Sequence, residues 1–197
     1  MQVCTCMNGA RDRILEAATR VFASNGVSGA TTREIARRAK VNEVTLFRSF
    51  KNKSELLRQV VLQCSQRSVH VFAEAPFKTK ADLKRTVRAY AEAYVRMLHE
   101  NEDFVRTFVG ELNRNLKLCR RLFVESGKPV RQKFIQYLQD ARKNRLVRKD
   151  LDAATAADAL TGMLLSGILR RPLTESSYSN KRYVKTCVEL FLKGIER

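Results

Sequence analysis

Between Thr31 and Lys53 the chain gathers the residue types that bind phosphates and base edges. Thr32 and Arg33 open one short segment. Asn42, Glu43, Val44, Thr45, Phe47, Arg48 and Ser49 run through a second, and Lys53 starts a third. An arginine suits a bidentate contact to guanine, worth about 1–3 kcal/mol of discrimination, and a threonine suits a thymine methyl or a phosphate. A glutamate either accepts from the cytosine amino group or repels phosphates and narrows specificity. Catalysis has far less to work with. There is no glycine-rich phosphate loop and no nucleophile paired with a base. His99 with Glu100, Glu102 and Asp103 comes nearest, but adjacent helix positions point different ways. Cys4-Thr5-Cys6 is too closely spaced for a zinc pair. No metal, cofactor or enzymatic activity is expected.

The elements that must hold these side chains read as helices throughout. Ile14, Ala18, Val21 and Phe22 share one helical face, and Asn25-Gly26 supplies a left-handed stop. Thr31-Thr32-Arg33-Glu34 has the capping-box pattern, with the threonine hydroxyl on the Glu34 amide and the glutamate reaching back. A short helix follows over Thr32–Ala39. Asn42 caps a second over Asn42–Phe50, and Asn52 with Glu55 repeats the spacing ahead of a longer helix to about Phe72. Two short helices joined by a tight turn describe a helix-turn-helix, whose second helix enters the DNA major groove. They equally describe an ordinary helical hairpin.

The residues themselves go further than the spacing. Thr31 to Ala36, followed by Val41 to Lys53 and flanked by Phe22, Gly26 and Leu56-Leu57, resemble the signature of the TetR/AcrR family of bacterial repressors. The resemblance covers about residues 11–60 and implies DNA contacts from Thr32, Arg33, Asn42, Glu43, Val44, Thr45, Phe47, Arg48, Ser49 and Lys53. It also implies an all-α fold in which a three-helix head is joined through a long fourth helix to a larger effector and dimerisation domain. Two positions depart from the family pattern. Phe47 stands where tyrosine is usual, which removes a phenolic hydrogen bond to phosphate. Lys40 stands where the turn commonly has glycine, at a cost of about 1 kcal/mol in a left-handed conformation.

Charge supports this division unevenly. Lysine and arginine number 38 against 20 acidic residues, a net +18 that favours polyanionic partners. Residues 1–53 hold +6 of it and residues 114–149 hold +10. The second block, including Arg114, Lys117, Arg120, Arg121 and Arg131, reads as a solvated helix face, an attractor for an acidic effector, or additional phosphate contact. Apolar residues at 44% allow a sizeable core. The longest uncharged run is too short to span a bilayer, so no membrane partner is expected. Residues 1–10 lack the basic start and apolar run of a signal peptide and read as a mobile arm. Five cysteines, three of them in helical apolar patterns, fit reduced thiols in a cytoplasm.

The expected division is therefore an arm over 1–10, a DNA-binding head over 11–73 with a boundary near Pro76, and an effector and dimerisation domain over 74–197. Within the last, one helix is expected from about Asn115 to Lys143, kinked or broken at Gly127-Lys128-Pro129. Relatives hold a mostly apolar cavity for a small molecule. Its candidate lining here is Tyr90, Tyr94, Met97, Phe104, Phe108, Phe123, Phe134, Tyr137 and Met163, residues that serve a plain core equally well. Ala156, Leu160, Leu164, Gly167 and Ile168, with Tyr183, Cys187, Leu190 and Phe191, present faces for a homodimer seam or for the protomer's own core. A dimer would set two recognition helices about 34 Å apart, the spacing of a palindromic operator. The leading expectation is a repressor released from such an operator by a small-molecule effector of unknown identity. The alternative is a ligand-independent DNA-organising or protein-interaction factor of the same fold.

Overall fold

The computed structural model describes residues 9–73, 82–111, 116–126, 128–170 and 180–197, with side chains described except at 64–73, 103, 104, 123, 125, 126 and 180. Residues 1–8 of the expected arm, Pro76 and Arg114 lie outside it, as do the side chains of Phe104 and Phe123.

Every regular element among the described residues is an α-helix. In order they are α1 (Ala10–Gly29), α2 (Thr32–Arg38), α3 (Glu43–Ser49), α4 (Lys53–Ala73) and α5 (Leu83–Glu100). There follow α6 (Glu102–Glu111), α7 (Leu116–Ser126), α8 (Lys128–Lys143), α9 (Ala153–Arg170) and α10 (Asn180–Ile195). Their ends follow local chemistry. Gly26 kinks α1 at φ 68° and ψ 171°, a region essentially reserved for glycine. Thr31 Oγ1 accepts from the Glu34 amide at 3.1 Å, and Asn42 Oδ1 accepts from the Val44 amide at 2.9 Å. Asn52 Oδ1 does the same for the Glu55 amide at 2.8 Å. Each such cap contributes about 1 kcal/mol.

The helix expected from about Asn115 to Lys143, kinked or broken at Gly127-Lys128-Pro129, is described as two, with α7 ending at Ser126 and α8 beginning at Lys128. Pro129 falls in the first turn of α8, where a missing amide hydrogen sacrifices no helical bond. The C-termini of α2 and α8 share one motif. Val41 N donates to Ala36 O at 3.0 Å and Lys40 N to Arg37 O at 3.2 Å, while Leu146 N reaches Ala141 O at 2.9 Å and Arg145 N reaches Arg142 O at 3.1 Å. This double bond pattern demands a left-handed residue between the helix and its successor. Lys40 at φ 54° and Arg145 at φ 60° supply it.

The helices form two compact units that are discontinuous in sequence, residues 1–65 with 103–126 and residues 66–102 with 127–197. In the first, Ile14, Val21, Phe22, Ile35, Leu46 and Leu56 are fully buried, and Leu122 of α7 joins their cluster. Thr107 of α6 donates to the carbonyls of Phe22 and Ala23 near the end of α1's regular part. The second unit packs α5 against α9 and α10, and α8 against α9. The rings of Tyr90 and Phe134 stack at its centre, 3.9 Å apart and 8° from parallel. Arg131 and Asp158 make a two-pronged ion pair between α8 and α9 at 2.6 and 2.7 Å.

Candidate nucleic-acid interface

The two short helices are held as a rigid pair before any ligand is considered. Leu46 and Ile35 are completely buried between them and α1, and Phe50 closes the bottom of α3 beneath the Arg11 guanidinium, 5.1 Å from its ring centroid. Burial of Leu46 decides which face of α3 is left over. Val44 is 58% exposed and Phe47 47%, with Arg48 beside them, while Thr45 and Ser49 are half-buried. Ser49 donates its hydroxyl to the Thr45 carbonyl at 3.1 Å. The outward surface of α3 is thus an apolar pair followed by a guanidinium, which fits a groove offering methyls and acceptors.

Charges around this surface fall into two kinds. Arg33, Lys40, Arg48 and Lys51 are exposed and have no ion pair among the described residues. Arg37 and Arg38 are committed elsewhere. They converge on Glu34 at 2.7 to 2.9 Å and hold its carboxyl at about 2, through their hydrogen bonds first and their charges second. Glu34 therefore does not reach back to its cap. Two guanidinium partners outbid one backbone amide.

Besides Ser49, several residues with expected DNA roles have internal partners. Asn42 spends its side-chain oxygen as the cap of α3. Thr32 donates its hydroxyl to Glu43 Oε1 at 2.5 Å, tying the start of α2 to the start of α3. Lys53, half-buried, donates to the carbonyls of Ala30 at 2.9 Å and Ser28 at 3.5 Å, fastening the α1–α2 connection to α4. The family resemblance brought these residues to notice as ligands for DNA; spacing already marked Asn42 as a cap, whereas nothing in the sequence signalled the partners of Thr32 and Lys53.

The described residues expected around an effector fall in both units. Phe108 packs in the first unit, whereas Tyr90, Tyr137 and Phe134 are buried core of the second, with Tyr94, Met97 and Met163 packed against them. Burial pushes the Tyr94 hydroxyl up to about 12, with the Asp158 charge adding to it. A groove of about 500 Å³ lies on the opposite face of α5, between it and α10, with Val95, Val184 and Val188 as its floor and Arg88, Arg96 and Lys181 among its walls.

The expected dimer residues divide likewise. Leu160, Leu164, Ala156, Cys187 and Phe191 are buried in the core cluster of the second unit, and Gly167 and Ile168 are buried on α9. Tyr183 lies across Gly167 and donates its hydroxyl to the Met163 carbonyl at 2.6 Å. Leu190, 59% exposed, points away from that core.

A helix-turn-helix head with an outward recognition helix, carried by a chain with a separate helical unit, defines a class of DNA-binding regulator. Comparison with known proteins agrees. Residues 14–60 match the bacterial regulatory proteins of the tetR family, and residues 82–194 match the AefR-like transcriptional repressor C-terminal domain. The chain belongs to the TetR family of transcriptional regulators. It is 23% identical over 192 residues to the HTH-type transcriptional regulator YvkB of Bacillus subtilis, covering 96% of this chain and 98% of that one. It is 27% identical over 165 residues to the HTH-type regulator SrpR of Pseudomonas putida, covering 81% and 73%. Among solved structures it shares its fold with the transcriptional regulator FadR of Bacillus subtilis, crystallised with stearoyl-CoA, at TM-score 0.75 and 21% identity over 93% of this chain and 98% of that one.

Proposed function

We propose that this regulator is a homodimeric cytoplasmic repressor that binds a palindromic operator and leaves it when a small molecule occupies the larger unit. The observation that carries the reading is the outward face of α3, where Val44, Phe47 and Arg48 stand clear of the core that fixes the helix. Arg48 reads a guanine, Phe47 and Val44 meet thymine methyls, and Arg33 with Thr45 lies along the backbone. Residues 11–73 act as the head and 74–197 as the effector and dimerisation part. The seam lies on the exposed faces of α9 and α10, including Leu190, because the opposite faces are already used inside the protomer. A fatty acyl thioester bound to FadR supports recognition of a small molecule by this fold. An effector acts only through unequal affinity for the operator-bound and released forms.

Selection from random duplex tests the reading. A palindrome should emerge, bound with log K falling by about 0.9 per neutralised phosphate for each unit of log salt. Arg48→Ala should flatten base preference at one symmetric pair of positions by about 1–3 kcal/mol. Absence of any enriched palindrome refutes the repressor.

A further inference from the structure

Residues 31–53 contain two carboxylates, and the structure treats them oppositely. Glu34 is neutralised by Arg37 and Arg38. Glu43, at the start of the recognition helix, has no cation partner among the described residues. Its Oε1 is held by the Thr32 hydroxyl, and its Oε2 has no described partner at all. Glu43 is half-buried and flanked by the exposed Asn42 and Val44. A carboxylate that no described cation pairs is thus tethered by Thr32 in the first turn of α3, on a segment that also exposes Arg33, Lys40, Arg48 and Lys51.

Such a charge opposes binding to any polyanion, because every phosphate repels it and it neutralises none. The opposition is lifted only where a groove edge offers it an N–H. In the major groove that means the N4 amino group of cytosine or the N6 amino group of adenine, while guanine and thymine present oxygen acceptors that repel it. The Thr32 bond matters because a carboxylate free to swing would move aside from the wrong base. We propose that Glu43 is a specificity-determining residue that rejects non-cognate duplex and admits an amino-bearing base, and that Thr32 is the residue that positions it. This rests on the operator-binding reading above. It assigns Thr32 a different task from phosphate contact, since its one hydroxyl proton is already given to Glu43.

Binding of the full chain to its selected operator and to random duplex, measured side by side, tests this. Glu43→Gln keeps an oxygen for Thr32 and removes the charge. It should tighten random-duplex binding by about fivefold and erase a preference of about tenfold for cytosine or adenine at one symmetric position. Thr32→Val keeps the charge and should erase the same preference without tightening random binding, and Thr32→Ser should restore it. Thermal melting of each variant confirms that the head remains folded. If wild type enriches no operator, both readings fall. If it does, and Glu43→Gln leaves both the random-duplex affinity and the base preference as in wild type, the role of Glu43 alone is overturned. Retention of the preference in a folded Thr32→Val overturns the positioning by Thr32.

Discussion

Replacing Lys40 by glycine should make the protein more stable although it deletes a side chain from the DNA-reading head. Lys40 sits at φ 54° between the paired bonds Val41 N to Ala36 O and Lys40 N to Arg37 O. A residue with a Cβ bears about 1–2 kcal/mol in that left-handed region. Glycine bears none of it but loses about 0.4–1 kcal/mol more chain entropy on folding. The difference leaves about 0.5–1 kcal/mol of net stabilisation, or roughly 1–4 °C in Tm for a chain of this size. Removing one of the 38 cations from a chain of net +18 also relieves repulsion, so Lys40→Ala is the needed control, having the same charge change and the same strained backbone. Arg145, at φ 60° in the same motif at the end of α8, provides an independent repeat in the other unit. Calorimetric melting of the four single variants should show both glycines raised and both alanines within about 0.5 kcal/mol of wild type. Equal stabilisation by alanine and glycine would assign the effect to charge, and destabilisation by glycine would refute the strain argument outright.

Three further outcomes follow from particular contacts. A Cβ on Gly167 would collide with the Tyr183 ring, so Gly167→Ala should cost about 1–3 kcal/mol by overpacking, read as a lowered denaturation midpoint. Lys53→Met keeps the stem of the side chain but frees the carbonyls of Ala30 and Ser28; it should cost about 1 kcal/mol in urea melts even without DNA. Glu34 and Glu55 are each lowered from 4.5 to about 2, first of all by hydrogen bonds from Arg37 and Arg38 and from Arg58 respectively. Their folded values lie below the unfolded ones, so their contribution is complete above about pH 4.5 and disappears as pH falls through about 2. Substituting both by glutamine should flatten stability across that window, and an unchanged acid slope would contradict the pairing.

Much of the head was legible in the sequence because its signals are local. A threonine or asparagine ahead of an apolar face marks a helix start, and the amides of Glu34, Val44 and Glu55 find those oxygens. Glycine after Asn25 marks a break, and Gly26 provides it. Lysine in place of a turn glycine predicts a strained left-handed residue, which Lys40 is. These are interactions within four residues, where spacing and chemistry leave few alternatives.

Tertiary structure decided the identity of partners. Apolar residues at helical spacing reveal that a face is buried, but the hydrophobic effect is not directional, so the pattern of Leu160, Leu164 and Phe191 reads the same for a protomer core as for a dimer seam. In the structure all three are buried inside the protomer, and Leu190 is left exposed. Phe108 and Tyr90 likewise belong to different units, because α6 and α7 return to the head after α5 has been laid down in the other. Polar groups behave in the same way. Thr32, Glu43 and Lys53 carry chemistry that suits DNA, yet each meets a protein partner first, and only the fold brings an acceptor from 11 to 25 residues away within reach. The sequence by itself determined the helices, their ends and the DNA-reading motif, because short-range hydrogen bonds and periodicity are written along the chain. Which face meets which, and which charge is left without a partner, came from packing among segments distant in sequence.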